Sequence, residues 1–393
     1  MKTIRLILST ILYEWKAIAS NMAVLLVLLG GNIGYGFLYN YIYNPNIVRE
    51  APIAVVDMSQ DKYSRLFIRN LDATEQVNVQ YTLTNYAKAE ELIRDRKIVG
   101  FLYLPQNFSS LGLEYNTSNI MSYGSTLSFL DFLMLQEATT YTLLDFNAML
   151  RPLYVLQLPN EEKFAISALA PIDVIPTPMF NTTEGYGTYL IPPVLVLIVF
   201  QTLMICVCNI NGEERERQML NNPFLLKETK AKPLILVVGK TIAFVLIYSV
   251  ITFFMLALLP RLFSLPHIGN ATTIIVMVIP FLLASTFFAL TLLPLCTNAE
   301  SPLLFIVFMS VILLFFSGIS YPLELMPWHW KIFHYIFPSA PATLAFVKIN
   351  TMGAGIEQIQ PELTTLCIQC VCYFTMALCS FKWGFIKGYW NKT

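Results

Sequence analysis

The sequence predicts a polytopic α-helical membrane protein with six transmembrane helices and an α/β extracytoplasmic domain inserted after the first helix. Of its 393 residues, 56% are hydrophobic and 13% are charged, whereas about a quarter of the residues in a soluble domain are charged. The apolar residues are concentrated in windows long enough for a membrane-spanning helix, which needs about 20 residues. Residues 43–184, between the first two windows, have instead the mixed composition of a globular domain.

Six windows define the predicted spans. Five of them contain no charged residue, and the third in chain order contains only Lys240. In chain order they are Ala17–Val48, Gly185–Gly212, Pro233–Pro260, Ile268–Ala299, Ser301–Leu323 and Leu363–Phe381. We expect Lys240 to snorkel to the headgroups of the inner leaflet. Another apolar stretch, Ile332–Val347, is too short to span the membrane and contains Pro338 and Pro341. We therefore interpret it as a re-entrant or interfacial element.

The basic residues of the short segments divide unequally between the two sides of the membrane. One side would carry Lys2, Arg5, Lys16, Arg215, Arg217, Lys227, Lys230, Lys232, Lys382, Lys387 and Lys392. The other side would carry Arg261, Lys331 and Lys348. Because short cytoplasmic loops hold the excess of lysine and arginine, both termini are predicted to be cytoplasmic and residues 43–184 extracytoplasmic.

Residues 1–20 are predicted to form an amphipathic helix that lies in the inner membrane surface and leads into the first span. One helical face would collect Ile4, Ile7, Leu8, Ile11, Trp15 and Ile18, and the opposite side Lys2, Arg5, Ser9 and Lys16. A cleaved signal peptide is the alternative for this stretch. It is disfavoured because Glu14 and Lys16 interrupt the apolar region and a full span follows at once.

Residues 43–184 are predicted to form a small α/β unit, because short strands alternate with short helices. The predicted strands are Pro52–Asp57, Val77–Leu83 and Ile98–Leu104, and the predicted helices are Ser59–Leu71, Asn85–Arg96 and Ser125–Leu150. The last helix contains Asp131, Glu137 and Asp145, which argue against a membrane span. We expect it to pack on the α/β unit or near the membrane surface.

The chain lacks the common catalytic and metal-binding motifs, so we predict no catalytic, cofactor or metal site. Cys367 and Cys370 form a C-x-x-C pair, but no basic neighbour would stabilise a thiolate there. His329 and His334 are five residues apart, whereas two ligands on one helix face need a spacing of three or four. Val237–Thr241 ends like a phosphate-binding loop but lacks its upstream glycine. Zero net charge gives no electrostatic basis for binding nucleic acid.

A dense charge cluster, Glu213, Glu214, Arg215, Glu216 and Arg217, directly follows the second window. The spans contain no acid or histidine of the kind that ion-driven transporters place at the middle of the membrane. Energy for any transport must then come from a cytoplasmic partner. Pairs along a surface helix contribute only a few tenths of a kcal/mol, too little to explain the cluster. A short rigid helix that docks a partner explains it better, and a solvated turn is the alternative.

The order of these elements resembles the membrane subunits of ABC-2 type exporters, in particular the long form with an extracytoplasmic domain between the first and second spans. That family has a charged turn close to G-E-[RK]-E-R-G-T-[LM]-E. Gly212, Glu213, Glu216 and Arg217 follow it in order, while Gln218 stands where glycine is usual. The sequence SGISYP at residues 317–322, followed by Met-Pro and an aromatic run, also resembles the family.

The resemblance implies a permease subunit without an ATPase site of its own, in a bacterial inner membrane. A second permease chain, identical or paralogous, would complete the path, and a separate cytoplasmic ATPase would bind ATP and Mg. A periplasmic adaptor protein is a further candidate partner. The charge cluster would be the ATPase-coupling element, helped by the N-terminal helix with Arg5, Trp15 and Lys16. An outer re-entrant segment, residues 320–362, would close the exit path, and its candidate residues are Gly318, Pro322, Pro327 and Pro338.

The predicted boundaries follow the same order. They are an interfacial helix at 1–20, a first span at 21–42, the extracytoplasmic domain at 43–184, five further spans within 185–386, a coupling loop at 211–232, and a cytoplasmic tail at 387–393. The cargo, whether drug, lipid, polysaccharide or ion, is not identified by any motif. Two other classes stay open. One is a membrane-anchored scaffold or receptor, and the other is a polytopic membrane enzyme built around His329 and His334.

Overall fold

The computed structural model describes residues 2–43, 49–106, 108, 120–124, 129–157, 185–216, 233–265, 267–292 and 301–386. The chain divides into two compact units. We call Met1–Asn46 with Pro178–Thr393 the membrane unit, and Ile47–Thr177 the inserted unit. The described strands are β1 (Ala51–Asp57), β2 (Val77–Leu83), β3 (Gly100–Leu104) and β4 (Met121–Gly124).

The described helices are numbered in chain order. They are α1 (Lys2–Ser20), α2 (Met22–Ile42), α3 (Lys62–Asp72), α4 (Tyr86–Arg94), α5 (Phe129–Gln157), α6 (Tyr186–Glu216), α7 (Pro233–Leu262), α8 (Ala271–Thr291), α9 (Ser301–Phe316), α10 (Trp328–Ile336), α11 (Ser339–Met352) and α12 (Gln360–Ile386). Two of the helices contain π-helical stretches, α2 at Leu26–Gly34 and α7 at Phe254–Leu258.

The inserted unit contains a four-stranded sheet in the order β2-β1-β3-β4. The strands β2, β1 and β3 are parallel, and β4 is antiparallel to β3. The strands and helices predicted for this segment are present, and their ends lie within three residues of the predicted ones except for α5, which is described from Phe129 and extends seven residues beyond the predicted Leu150. The sequence prediction missed β4, because its four residues are too few to form an alternating pattern.

Both faces of this sheet are covered by helices that the apolar spacing of the sequence explains. On one face, Ile53 and Leu102 pack with Phe67 of α3 and Phe146 of α5. The rings of Phe67 and Phe146 meet edge to face with centroids 5.5 Å apart. On the other face, α4 covers a smaller cluster that includes Phe101. The helix α5 therefore packs on the α/β unit, which was one of the two arrangements that we expected.

Within its described residues, the membrane unit contains five helices that are long and apolar enough to cross a membrane, namely α2, α6, α7, α8 and α12. The helix α9 lies where the fifth span was predicted, but it has only 16 residues and ends at Phe316. Gly318 follows with φ +83°, a left-handed conformation that ends the helix. The charge-free window Ser301–Leu323 is therefore longer than its helix. The pair α10 and α11 would give a sixth span only if its two helices are counted together.

The helix α2 packs on α6 through small and polar residues. Its buried positions recur every four residues and are Val24, Leu28, Asn32, Gly36 and Asn40. The Asn32 Oδ1 atom accepts a hydrogen bond from the hydroxyl of Thr202 in α6 at 3.0 Å. A Cβ atom on Gly31 would lie 3.1 Å from Thr202 Cγ2. Small residues and interhelical hydrogen bonds of this kind hold helices together in lipid, where the hydrophobic effect does not.

The helices α10 and α11 meet at an angle of 85° and form a bent pair. The segment leading into it begins near the first turn of α6, where the Tyr189 hydroxyl donates to the carbonyl of Ile319. It ends beside the start of α8, where the backbone N–H of Ile268 donates to Asn350 O at 3.1 Å. The bend itself lies deeper, because the ring of Phe337 contacts Phe288, about 25 Å along α8. The segment before the bent pair and the last turn of α11 therefore lie where α6 and α8 begin.

Proline and glycine mark each boundary of this region. Pro327 directly precedes α10 and Pro338 directly precedes α11. Pro322 precedes a short 3-10 turn, Leu323–Leu325. A Cβ atom at Gly318 would approach Leu323 Cγ to 2.8 Å. The four candidate residues of the outer segment thus occupy helix starts and a left-handed turn, where their backbone properties are needed.

The last carbonyl groups of α10 have lost their helical partners, and α12 supplies replacements. Gln369 Nε2 donates to the carbonyl of Tyr335 at 2.8 Å, and the hydroxyl of Tyr373 donates to the carbonyl of Ile336. The last carbonyls of a helix have no partner within it, and in an apolar environment an unpaired one is costly. These two side chains therefore fix the place where the helix pair bends.

We predict that the double substitution Gln369→Leu and Tyr373→Phe lowers the stability of the purified chain by about 1–3 kcal/mol, because two partly buried carbonyl groups at the bend lose their donors. Thermal unfolding in detergent measures the effect. Thr375→Val is the matched control, since its hydroxyl is exposed and bonds only within its own helix. An equal shift for the control and the double variant would contradict the capping role.

A buried ion triad as the candidate functional site

The N-terminal helix α1 packs along α7 through one narrow stripe. Its buried residues recur every four positions and are Leu6, Thr10, Glu14 and Ile18. Gly239 of α7 allows the close approach, because a Cβ atom there would lie 2.8 Å from Thr10 Cβ. The Trp15 indole N–H donates to the carbonyl of Ala243 in α7 at 3.1 Å. These contacts fix both the position of α1 and its rotation about its own axis.

A triad of charged groups lies inside this contact. Lys240 Nζ is 2.5 Å from Glu14 Oε1 and 3.0 Å from Glu214 Oε2. The side chains of Lys240, Glu14 and Glu214 are 4%, 1% and 12% exposed. One ammonium group therefore joins three elements, since Glu14 belongs to α1, Lys240 to α7, and Glu214 to the end of α6.

The expectation that Lys240 snorkels to the headgroups is wrong. Its ammonium group is buried and points to two carboxylates instead of water. The physical reason is that a lysine in an apolar helix needs a partner for its charge, and Glu14 provides one within the fold. The sequence contained a signal for this pairing. Lys240 is the single charge of its apolar window, and Glu14 is the single acid of the N-terminal helix, and such charges commonly pair with one another.

A second contact ties the same end of α6 to the start of α2. Asn21 Nδ2 donates to Glu213 Oε2 at 2.5 Å and to Asn209 Oδ1 at 3.1 Å. The Asn21 side chain also caps α2, because its Oδ1 atom accepts from the backbone N–H of Val24 at 3.0 Å. The turn between α1 and α2 is therefore attached directly to the charge cluster.

Of the residues predicted from the sequence, Glu213 and Glu214 are brought to this site, together with Trp15. Arg215 and Glu216 are the last but one and the last residue of α6. Arg217 lies outside the described residues, and so does its expected pairing with the glutamates. Arg5 and Lys16 are exposed on α1, away from the triad. The sequence analysis did not select Glu14, Asn21 or Lys240 as site residues.

The triad holds two carboxyl groups for one ammonium group, so its charges do not balance when all three are ionised. Burial raises the pKa of Glu14 to about 7, and the nearby Lys240 opposes this rise while Glu214 adds to it. The Glu14 Oε2 atom is buried and has no hydrogen-bond partner among the described residues. A proton on Glu14 would therefore relieve the excess negative charge near neutral pH.

The fold and the site together define a polytopic membrane protein with an α/β unit inserted after its first apolar helix. In this chain, the ion triad and the contacts of Asn21 lie where α1, α2, α6 and α7 meet. The profile of the family described as "ABC-2 family transporter protein" matches residues 20–379. The chain therefore belongs to the ABC-2 transporter family. Comparisons with curated proteins and with solved structures find no match to this chain.

We predict that Lys240→Met is strongly destabilising, by about 3–5 kcal/mol, because it leaves two carboxylates together without a cation. The double variant Lys240→Met with Glu14→Gln should recover most of the loss, since only Glu214, the most exposed of the three, keeps its charge. Thermal unfolding of the purified chain with Lys240→Met, with Glu14→Gln and with both substitutions gives the coupling free energy of the two residues.

The matched control is Lys348→Met, which breaks an ion pair of the same length with Glu362. Lys348 is 31% exposed, so solvent reaches that pair and its loss should cost less than the loss of Lys240. Additive effects of Lys240→Met and Glu14→Gln would show that the triad does not act as one buried unit.

Proposed function

We propose that this chain is the permease subunit of an ATP-binding cassette exporter. It forms the translocation path as a dimer, with an identical or a paralogous chain, and a separate cytoplasmic ATPase supplies the energy. It lies in a bacterial inner membrane with both termini in the cytoplasm. Membership of the ABC-2 family supports this proposal. The buried triad is the observation that supports coupling, because it connects Glu214 of the charge cluster to α7 and α1 of the membrane unit.

The coupling step follows from what is attached to the end of α6. Glu214 contacts Lys240 of α7, and Lys240 also holds Glu14 of α1. Glu213 contacts Asn21 at the start of α2. A force applied to the charge cluster by an ATPase therefore acts on four helices at once. A solvated turn needs no buried contacts. The contacts of Glu213 and Glu214 therefore favour a coupling role for the charge cluster over a solvated turn.

The bent pair α10–α11 is the proposed outer gate of the path. The segment before this pair lies near the start of α6, the pair ends near the start of α8, and its bend contacts α8 and α12. A segment that enters and leaves on one side can close a path without crossing the membrane. Under the proposed orientation this side is extracytoplasmic, so the pair stands where cargo would leave.

We predict that different residues of the charge cluster bind the ATPase subunit and transmit its motion to the membrane unit. Glu216→Lys with Arg217→Glu reverses charges beyond the described intramolecular contacts and should release the ATPase subunit. Glu214→Gln should keep the ATPase bound but lower transport-linked ATP hydrolysis several fold, because it removes one charge of the triad. Copurification from the native membrane and ATPase assays in vesicles measure the two effects.

Lys382→Glu is the control for docking, since it reverses an exposed charge near the end of α12 on the same predicted side. The control should retain both the ATPase and its activity. If no nucleotide-binding protein accompanies the unmodified chain, a scaffold or receptor becomes the better explanation. If the reversed cluster exports at the parental rate, the coupling site lies elsewhere.

We predict that Lys88→Cys in a cysteine-free background reacts with a membrane-impermeant maleimide in intact cells. Lys88 is exposed on the inserted unit, which the basic residues place outside. Ser20→Cys, exposed at the end of α1, should react only after permeabilisation. The reverse order of labelling would contradict the proposed orientation of the whole chain.

A further inference from the structure

The surface of α1 divides into three sectors, of which only the first is explained by the triad. The first sector faces α7 and holds the buried stripe with Glu14. The second sector is apolar and outward-facing, and its exposed residues are Ile4, Leu8, Leu12 and Trp15. The third sector adjoins the second and holds the exposed cations Arg5 and Lys16. The close contacts of α1 with α7 fix which sectors face outward.

The described charged residues on the outward surface of α1 are all cations. Glu14 is the only acidic residue of the helix, and it is buried against Lys240. Arg5 and Lys16 are 11 residues apart, close to three helical turns, so they lie on one line of the helix about 16 Å apart. The apolar sector runs beside this line, with Leu8 and Leu12 53% and 58% exposed.

We propose that this outward face is a binding surface for anionic phospholipids. Arg5 and Lys16 contact the phosphate and the net negative charge of two headgroups, while Leu8 and Leu12 contact their acyl chains. A zwitterionic lipid also has a phosphate, but its own cation cancels the attraction, so the surface selects anionic lipids. A soluble protein partner would fit less well, because it would have to cover the exposed leucines as well as the two cations.

The position of this surface gives lipid binding a consequence. Lys16 is two residues from Glu14, and Trp15 between them is fixed to α7 by its indole N–H. An anionic lipid held by Lys16 therefore restrains the helix that carries one carboxylate of the triad. Under the proposed function, the lipid would favour the arrangement in which α1 stays on α7. The binding itself requires only a membrane and no ATPase.

The test uses Trp15 as a reporter of the lipids around it. The other four tryptophans are replaced by phenylalanine, and the full chain is reconstituted in phosphatidylcholine vesicles. A small fraction of the lipid is brominated, either as phosphatidylglycerol or as phosphatidylcholine. We expect phosphatidylglycerol to quench Trp15 about threefold more effectively than phosphatidylcholine at the same fraction. Added salt should reduce the difference, because it screens exposed charges.

Arg5→Gln with Lys16→Gln should make the two brominated lipids equally effective, while Lys382→Gln, which removes a distant cation, should leave the preference unchanged. Equal quenching of the parent variant by both lipids would overturn the proposal. An absence of quenching by either lipid would show that protein covers this face, and would also overturn it. No ATP or partner enters the assay, so its failure is distinct from a failure of the proposed exporter function.

A second measurement keeps the proposal testable if the tryptophan replacements prevent folding. The unmodified chain in detergent should unfold at a higher temperature with added phosphatidylglycerol than with phosphatidylcholine. The double variant at Arg5 and Lys16 should lose that difference. An equal effect of the two lipids on the unmodified chain would count against an anionic site.

Discussion

The arrangement of the membrane unit depends on one constraint, the burial of the Lys240 charge. An ammonium group without a partner is costly in an apolar helix, and the attraction between paired charges offsets this cost only with close contacts. Lys240 has two such contacts, at 2.5 and 3.0 Å. They come from the N-terminal helix and from the end of α6, so neither element can move away without exposing or unpairing a charge. The position of α1 is thus determined by electrostatics as much as by packing.

The same principle recurs wherever the backbone or a polar side chain departs from a simple apolar span. Asn32 is paired with Thr202 between α2 and α6. The carbonyls at the end of α10 are paired with Gln369 and Tyr373 of α12. Each contact joins two helices and satisfies a polar group that lipid could not satisfy. These polar contacts therefore fix the positions of neighbouring helices relative to one another.

Local patterns in the sequence predicted five long apolar helices, the N-terminal helix and three strands of the inserted sheet, because these depend on residues close in the chain. The triad was missed for the opposite reason, since Lys240 and Glu14 are 226 residues apart. Isolated charges in apolar stretches indicated that a partner was needed but not which one. The fifth window showed that a charge-free stretch is not the same as a helix, because Gly318 ends α9 early. The glutamates of the cluster were selected from the sequence, but their inward contacts with Asn21 and Lys240 could not be read from their order.

The helix α6 gives these contacts mechanical significance. It is the most buried of the five long apolar helices, and its 31 residues form a rod about 46 Å long. Glu214 lies at one end, and Tyr189, bonded to the segment before the bent pair, lies at the other. Pro192 and Pro193 weaken the helix just after Tyr189. A tilt of about 5° around that proline pair would displace the charged end by about 3 Å, because Glu214 lies about 32 Å along the helix from Pro193. The helix α6 can thus act as a lever that pivots beside the bent pair. A displacement of the end with Glu214 would then produce a smaller displacement, with greater force, at the end with Tyr189.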